Sequence, residues 1–271
     1  MSKFKLLLAN GDSYAAGTDT ALPSFYPELG DTYSVRDKPP HSWKTFRRFD
    51  KLSRDSEYHD RYLEACLENS FPAQLGKKLN LETLNLSLGG QSNSSMAAIT
   101  IAYIEHILKF QYKLEDILVV LNLTGFQRLK IPVRKPFGRY RYDCGNVMLG
   151  HIQPTNKELL TIFQNTSDKF LVLENFIAIT ALIKFLETYN ISYIFTDSHL
   201  YTFDKQVLCD KEFDSGFLDL FPTVDEPCIM KNLIQPEARI FHIMGHYTTE
   251  FYTKFSDMVC DYIVDKFKDK F

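Results

Sequence analysis

The chain has few cysteines, and they are scattered. Cys66, Cys144, Cys209, Cys228 and Cys260 are odd in number and include no Cys-x-x-Cys pair. That excludes a zinc knuckle and a disulfide framework and points to a reducing compartment, the cytoplasm. In that setting the Asn-x-Ser/Thr sequons carry no information. Neither charge sign dominates: 31 Lys and Arg against 34 Asp and Glu leave a formal charge of −3, which gives no overall attraction to nucleic acid or to an anionic membrane. Long apolar runs are missing as well. The longest, "FIAITALIKFL", is broken by Lys184 and falls well short of the roughly 20 residues needed to span a bilayer. The opening "MSKFKLLLANGD" has too short an apolar core for a secretion signal. Repeats, low-complexity tracts and interdomain linkers are absent too, so 271 residues are expected to form a single domain with a well-buried core.

What is present is an alternation of strand and helix. "KLLLA" (5–9) reads as a buried strand, closed by the turn signal Asn10-Gly11. A helix at 70–79 leads to a second strand at 81–87 that runs into Gly89-Gly90. An Asn/Ser-rich entry opens a long helix from Ser92. "EDILVVLNLTG" (115–125) is a third strand, 170–190 a helix, "ISYIFTD" (191–197) a fourth strand, and "ARIFHI" (238–243) a short fifth before a last helix at 248–267. This order predicts an α/β fold, a three-layer α/β/α sandwich around a five-stranded parallel sheet of flavodoxin-like type. Ligands of such sheets bind at the carboxyl ends of the strands. Ser13, Gly89, Thr124, Asp197 and His246 all fall just after a predicted strand. Residues 17–68 and 128–157 interrupt the alternation as long insertions, the pattern of binding loops or lids.

The stretch "ANGDSYAAG" admits two readings. An ordinary strand–turn–helix junction would use Asp12 or Ser13 as a cap. Alternatively, Ser13 is a nucleophile at the sheet edge, beside free N–H groups able to hold an oxyanion. His246, after the last strand and just before the last helix, is placed to serve as its general base; a helix-entry role is the alternative. Asp197 in "IFTDSHL" could orient that base or simply cap a turn.

Together these residues resemble the SGNH (GDSL-like) hydrolase family. Gly11-Asp12-Ser13 matches its first block. "NLSLGGQSN" is similar to its second, with Gly90 the closer match to the oxyanion glycine and Gly89 the alternative. "IMGHYTTEFYTKFSDMV" follows the spacing of its last, with His246 at the catalytic position. The family's acid, three residues before the histidine, is replaced here by Ile243. Its Gly-x-Asn-Asp third block is replaced by "LNLTGFQR", where Asn122 or Thr124 is the candidate third oxyanion donor. The Thr124-x-x-x-Arg128 form of that block is similar to phage-encoded members.

The resemblance implies a serine hydrolase acting on an O-acyl or O-acetyl ester, with Asp12 and Arg128 among the site residues and no cofactor. His242 and His246 are four apart, but no carboxylate sits between them as in a zinc protease, so no metal is expected. The segment 128–142, "RLKIPVRKPFGRYRY", mixes six cations with Phe137, Tyr140 and Tyr142 and no acid. A solvated face is one reading. As a ligand surface it suits a polar, anionic substrate such as a glycan or a nucleotide-linked group, with nucleic acid a lesser fit. The competing reading for the whole chain keeps the fold without turnover, as a binding or structural protein that uses this basic aromatic loop. No membrane partner is implied.

Overall fold

The computed structural model describes residues 3–18, 20–25, 32–34, 36, 56–125, 128–132, 144–148, 168–197, 224–233, 241–242 and 246–271. Among the described residues the main sheet holds four strands: β1 (Leu6–Asn10), β3 (Glu82–Asn85), β4 (Ile117–Leu123) and β7 (Ser192–Asp197). All pair in parallel, in the order β3-β1-β4-β7. Leu8 lies opposite Leu84 on one side and Val119 on the other.

β1 and β4 are apolar along nearly their whole length because both of their faces are covered, as parallel strands require. Successive residues serve opposite cores. Leu7, Leu118 and Val120 join Phe71, Leu75 and Leu79 of α3 (Phe71–Leu79) and Phe251, Phe255, Val259 and Ile263 of α6 (Thr249–Lys266). Leu6, Leu8, Ile117, Val119, Leu121 and Leu123 join Met96, Ala97 and Ile104 of α4 (Asn93–His106) and Ile179, Leu182 and Leu186 of α5 (Asp168–Thr188). This is the three-layer sandwich read from the sequence. Each large apolar side chain so buried contributes roughly 1.5–3 kcal/mol, and Phe71 and Phe255 add an edge-to-face contact at 5.2 Å.

The helices start where the sequence supplies caps. Ser70, Ser92 and Thr248 accept hydrogen bonds from Ala73, Ser95 and Phe251 N–H, the N-cap pattern. Asn80 ends α3 in the left-handed conformation, at φ 54°.

Three departures from the expected layout bear on the site. First, the residues after β1 wrap into a series of turns, so neither Asp12 nor Ser13 caps a helix there. Second, of the expected fifth strand only Phe241–His242 (β8) is described, and it pairs antiparallel with Thr32–Tyr33 (β2). Residues 238–240 and 243 of that segment lie outside the described set; among the described residues, β7 is also met by a parallel bridge from Asp197 to Ile229. Third, the two insertions carry structure of their own. The first contains the short α1 (Leu22–Phe25) and α2 (Ser56–Glu68), joined by a small core of Ala21, Leu22, Tyr62 and Cys66. In the second, β5 (Arg128–Pro132) and β6 (Cys144–Met148) form an antiparallel pair.

Cys228 gives a test of how tightly the α6 face is packed. It is fully buried in that core, and burial, with Asp225 nearby, pushes its thiol up to about 12. The unfolded chain releases this proton near pH 9 while the folded one retains it. Stability from this group is therefore fully present below about pH 9 and falls by roughly 1.4 kcal/mol per pH unit up to about pH 12. Urea unfolding between pH 8 and 10.5 should show a shallower alkaline decline for Cys228→Ala than for the wild type. Equal slopes would contradict the burial.

Candidate active site

The Ser13 turn is assembled where β1 and β4 end side by side. Asn10, the last residue of β1, accepts a hydrogen bond from Gly11 N–H at 2.9 Å and donates to Met96 O and Thr100 Oγ1 of α4. Gly11 is required by close approach. A methyl group there would lie 2.6 Å from Ala15 Cβ and 2.7 Å from Asn122 Cβ, closer than any real contact. The Asn-Gly turn signal thus marks the point where the two strand ends touch.

Asp12 follows, 0% exposed. Its carboxylate accepts hydrogen bonds from Tyr14 N–H at 2.9 Å, Thr124 Oγ1 at 2.9 Å and Asn122 Nδ2 at 3.3 Å. A buried carboxylate is tolerated only with such partners. Its acceptor oxygens organise the turn; they cannot donate to a developing oxyanion, so Asp12 stands as the frame of the site. Backbone bonds from Ala16 N–H to Asp12 O and from Thr18 N–H to Ser13 O close the turn.

Ser13, at the centre, is 8% exposed. Among the described residues, neither its hydroxyl nor its N–H makes a hydrogen bond to protein. Gly89 lies against it: a methyl group on Gly89 would sit 4.0 Å from Ser13 Cβ. The Gly89-Gly90 loop is a turn closed by Gln91 N–H to Leu88 O at 3.1 Å, with Gly90 at φ 80°. That positive φ is what a type II turn demands of its third residue. Leu88 N–H donates to Gly11 O and to Gln91 Oε1, which ties the loop to the Ser13 turn. The N–H groups of Gly89 and Gly90 likewise donate to no protein acceptor among the described residues. Of the two glycines, the one packed on Ser13 is Gly89, although motif matching favours Gly90.

The candidate third donors from β4 are otherwise engaged. Thr124 spends its hydroxyl on Asp12 and its N–H on Asn93 Oδ1 at 2.9 Å. Asn122 donates to Asp12 and accepts from Thr196 Oγ1 at 2.9 Å. Thr124 therefore has no donor left for an oxyanion. The residue that sequence reasoning passed over is Asn93, at the start of α4. Its amide grips Thr124 at both backbone groups and donates to Asn175 Oδ1 at 2.8 Å. Asn175 in turn donates to Leu171 O within α5. The Asn/Ser-rich helix entry was the only visible trace of this clamp.

His246 lies beside the residue that follows Ser13. Its ring lies 5.2 Å from that of Tyr14, the residue after Ser13. Tyr247, next in the chain, is buried against Tyr14 at 5.2 Å and stacks on Phe251 at 4.0 Å. Burial, and then the nearby Tyr14, Asp197 and Asp12, push the Tyr247 phenol well above its ordinary range. Asp197 is 9% exposed at the end of β7, and its charge is thus felt at the residue beside His246. Arg128 opens β5; Ile243 and residues 133–142 lie outside the described set. His242 is on β8 and His246 in the loop before α6, so they do not share a helix face. Among the described residues no His, Cys, Asp and Glu cluster could hold a metal ion, and no helix is long and apolar enough to cross a membrane.

No family model matches the chain, and no curated protein does. Solved structures similar to it include a lipolytic protein and carbohydrate esterases. One, assigned to the G-D-S-L lipolytic family, comes from Desulfitobacterium hafniense DCB-2; it is 12% identical, with 95% of this chain and 98% of that one covered and a TM-score of 0.45. The acetyl xylan esterase Est2A of the rumen bacterium Butyrivibrio proteoclasticus is 11% identical over 97% of this chain and 64% of its own, with a TM-score of 0.47. A carbohydrate esterase whose active site displays divergent catalytic and non-catalytic binding functions is 10% identical over 98% of this chain and 66% of its own, with a TM-score of 0.48. The chain thus spans about two thirds of the length of these two carbohydrate esterases.

The Asp12 frame can be tested without touching Ser13. Thr124→Val keeps the shape and removes the hydroxyl donor to Asp12, and should lower unfolding free energy by roughly 1.5–3 kcal/mol, the range for a hydrogen bond to a charged group. Thr124→Ser should recover most of it. Urea denaturation of the three proteins decides, and an unchanged Thr124→Val midpoint would remove Asp12 from this role.

Proposed function

We propose that the chain is a serine esterase of SGNH type, with Ser13 as nucleophile and His246 as general base. One observation carries this reading. Beside the fully hydrogen-bonded Asp12 carboxylate, the Ser13 hydroxyl and the N–H groups of Ser13, Gly89 and Gly90 are left uncommitted among the described residues. Buried polar groups normally find partners. A serine hydroxyl beside uncommitted backbone donors supports acyl transfer, which needs a nucleophile next to groups that can hold an oxyanion.

In the proposed reaction Ser13 Oγ attacks the ester carbonyl carbon as His246 takes the hydroxyl proton. The carbonyl oxygen gains the negative charge and is held by the N–H groups of Ser13 and Gly89, with Gly90 adjoining. The tetrahedral adduct collapses, the C–O bond to the alcohol breaks, and His246 returns the proton to the departing alkoxide. Water then repeats the sequence on the acyl-serine and releases the carboxylic acid and free Ser13. Asp197, buried at the end of β7 and close enough to act on Tyr247, orients His246, the role of the acid in such triads.

The substrate we propose is an O-acyl or O-acetyl ester of a polar, anionic molecule such as a glycan or a nucleotide-linked group. The basic aromatic segment 128–142, which opens as β5 soon after the end of β4, supports that class. Both the cytoplasmic setting and the single-domain organisation belong to this proposal.

The test is hydrolysis of p-nitrophenyl acetate at matched purity. Wild type should turn over, and Ser13→Ala and His246→Ala should each lose roughly 10³-fold or more. Asp197→Asn should lose activity toward the roughly 10⁴-fold that removing an orienting acid costs. Rates equal in wild type and Ser13→Ala, also with acetylated oligosaccharides, would favour the binding protein that keeps the fold without turnover.

A further inference from the structure

A general base is useful only if its ring is held so that one nitrogen faces the nucleophile. In this chain the residue three before His246 is Ile243, whose side chain can accept no hydrogen bond from an imidazole. Aromatic packing around His246 offers a second means of holding the ring. Tyr14 is fixed at its backbone by the hydrogen bond to Asp12 Oδ1, at 2.9 Å. Its ring lies 5.2 Å from both the His246 and Tyr247 rings, tilted by 58° and 51°. Tyr247 is itself immobilised, stacked at 16° on Phe251 and set edge-on, at 90°, to Tyr252. Phe251 and Tyr252 are buried in the α6 core. A continuous column of rings therefore runs from that core through Tyr247 and Tyr14 to His246.

We propose that Tyr14 is a positioning residue for His246, fixing the imidazole plane by ring packing and holding nucleophile and base in register because it directly follows Ser13. The inference rests on the Ser13–His246 reading above. A general base displaced by about 1 Å loses on the order of 10² in rate, so the contact matters if the chemistry does. The role is assigned to the ring, on its contacts with His246 and Tyr247. Phenylalanine, which keeps that ring, should therefore replace it.

The experiment compares kcat and KM for p-nitrophenyl acetate in wild type, Tyr14→Phe, Tyr14→Leu and Ser13→Ala. Tyr14→Phe should stay within about 3-fold of wild type, while Tyr14→Leu should lose roughly 10- to 100-fold in kcat at unchanged KM. Wild-type turnover with Tyr14→Leu equal to it would overturn the proposal and leave the esterase reading standing. A rise in KM at constant kcat would also overturn it, by making Tyr14 a substrate contact, and so would loss of kcat in Tyr14→Phe. Wild-type rates no higher than those of Ser13→Ala would remove the esterase reading and this proposal with it. If Tyr14→Leu fails to fold, nuclear Overhauser contacts between the Tyr14 and His246 ring protons in the wild type take its place. Their presence together with an active Tyr14→Phe supports the proposal, and their absence overturns it.

Discussion

A carboxylate buried in the middle of a strand-to-loop turn has to be neutralised by geometry, and in this protein that constraint shapes the whole site. Taking an ion out of water costs several kcal/mol even after the surroundings relax. Asp12 offsets this with hydrogen bonds from Tyr14 N–H, Thr124 Oγ1 and Asn122 Nδ2. Two of these donors belong to β4 or its end, so the end of β1 is locked to the end of its neighbour. Gly11 lets the two strand ends come close enough for those bonds to form. The clamp then extends outward: Thr124 is gripped by Asn93 of α4, Asn93 is held by Asn175 of α5, and Asn122 is held by Thr196 of β7. One charged group thus fixes the relative placement of three strands and two helices at the edge where the site lies.

The rigidity of that frame gives meaning to the groups it leaves uncommitted. Ser13 sits between Asp12 and Tyr14, both of which are pinned, yet its own hydroxyl and N–H are not engaged by protein among the described residues. The Gly89-Gly90 loop repeats the pattern, anchored through Leu88 and Gln91 while its two glycine N–H groups stay unengaged. Preorganised donors of this kind cost no reorganisation when charge develops on a bound oxygen.

The frame of the fold was legible in the sequence because it depends on periodicity and on turn chemistry. The unbroken apolar runs of β1 and β4 signalled buried strands, and the segment 70–79 read as the helix that the structure shows at Phe71–Leu79. Ser13, Gly89 and Asp197 could be placed at or after the ends of main-sheet strands from the same pattern. The clamp was not legible, since Asn93 and Asn175 are 82 residues apart and asparagine at a helix start reads as an ordinary cap. The commitments of Thr124 were equally hidden. A threonine after a strand advertises a donor, and only the packing shows that both of its donors are used. Tyr14 gave no signal either, because an aromatic residue after a turn is usually core. The segment 238–243 reads as a strand by composition, but which partner it pairs with is decided by tertiary contacts, and Phe241–His242 pairs with Thr32–Tyr33.

The most direct measurement is the site of modification by a fluorophosphonate, which reacts only with an activated serine. Native protein should acquire one adduct per chain, mapped by peptide mass spectrometry to Ser13, and urea-unfolded protein should acquire none. A native protein left unmodified at Ser13, or labelled at many hydroxyls to the same extent folded and unfolded, would contradict the assignment of Ser13 as the nucleophile.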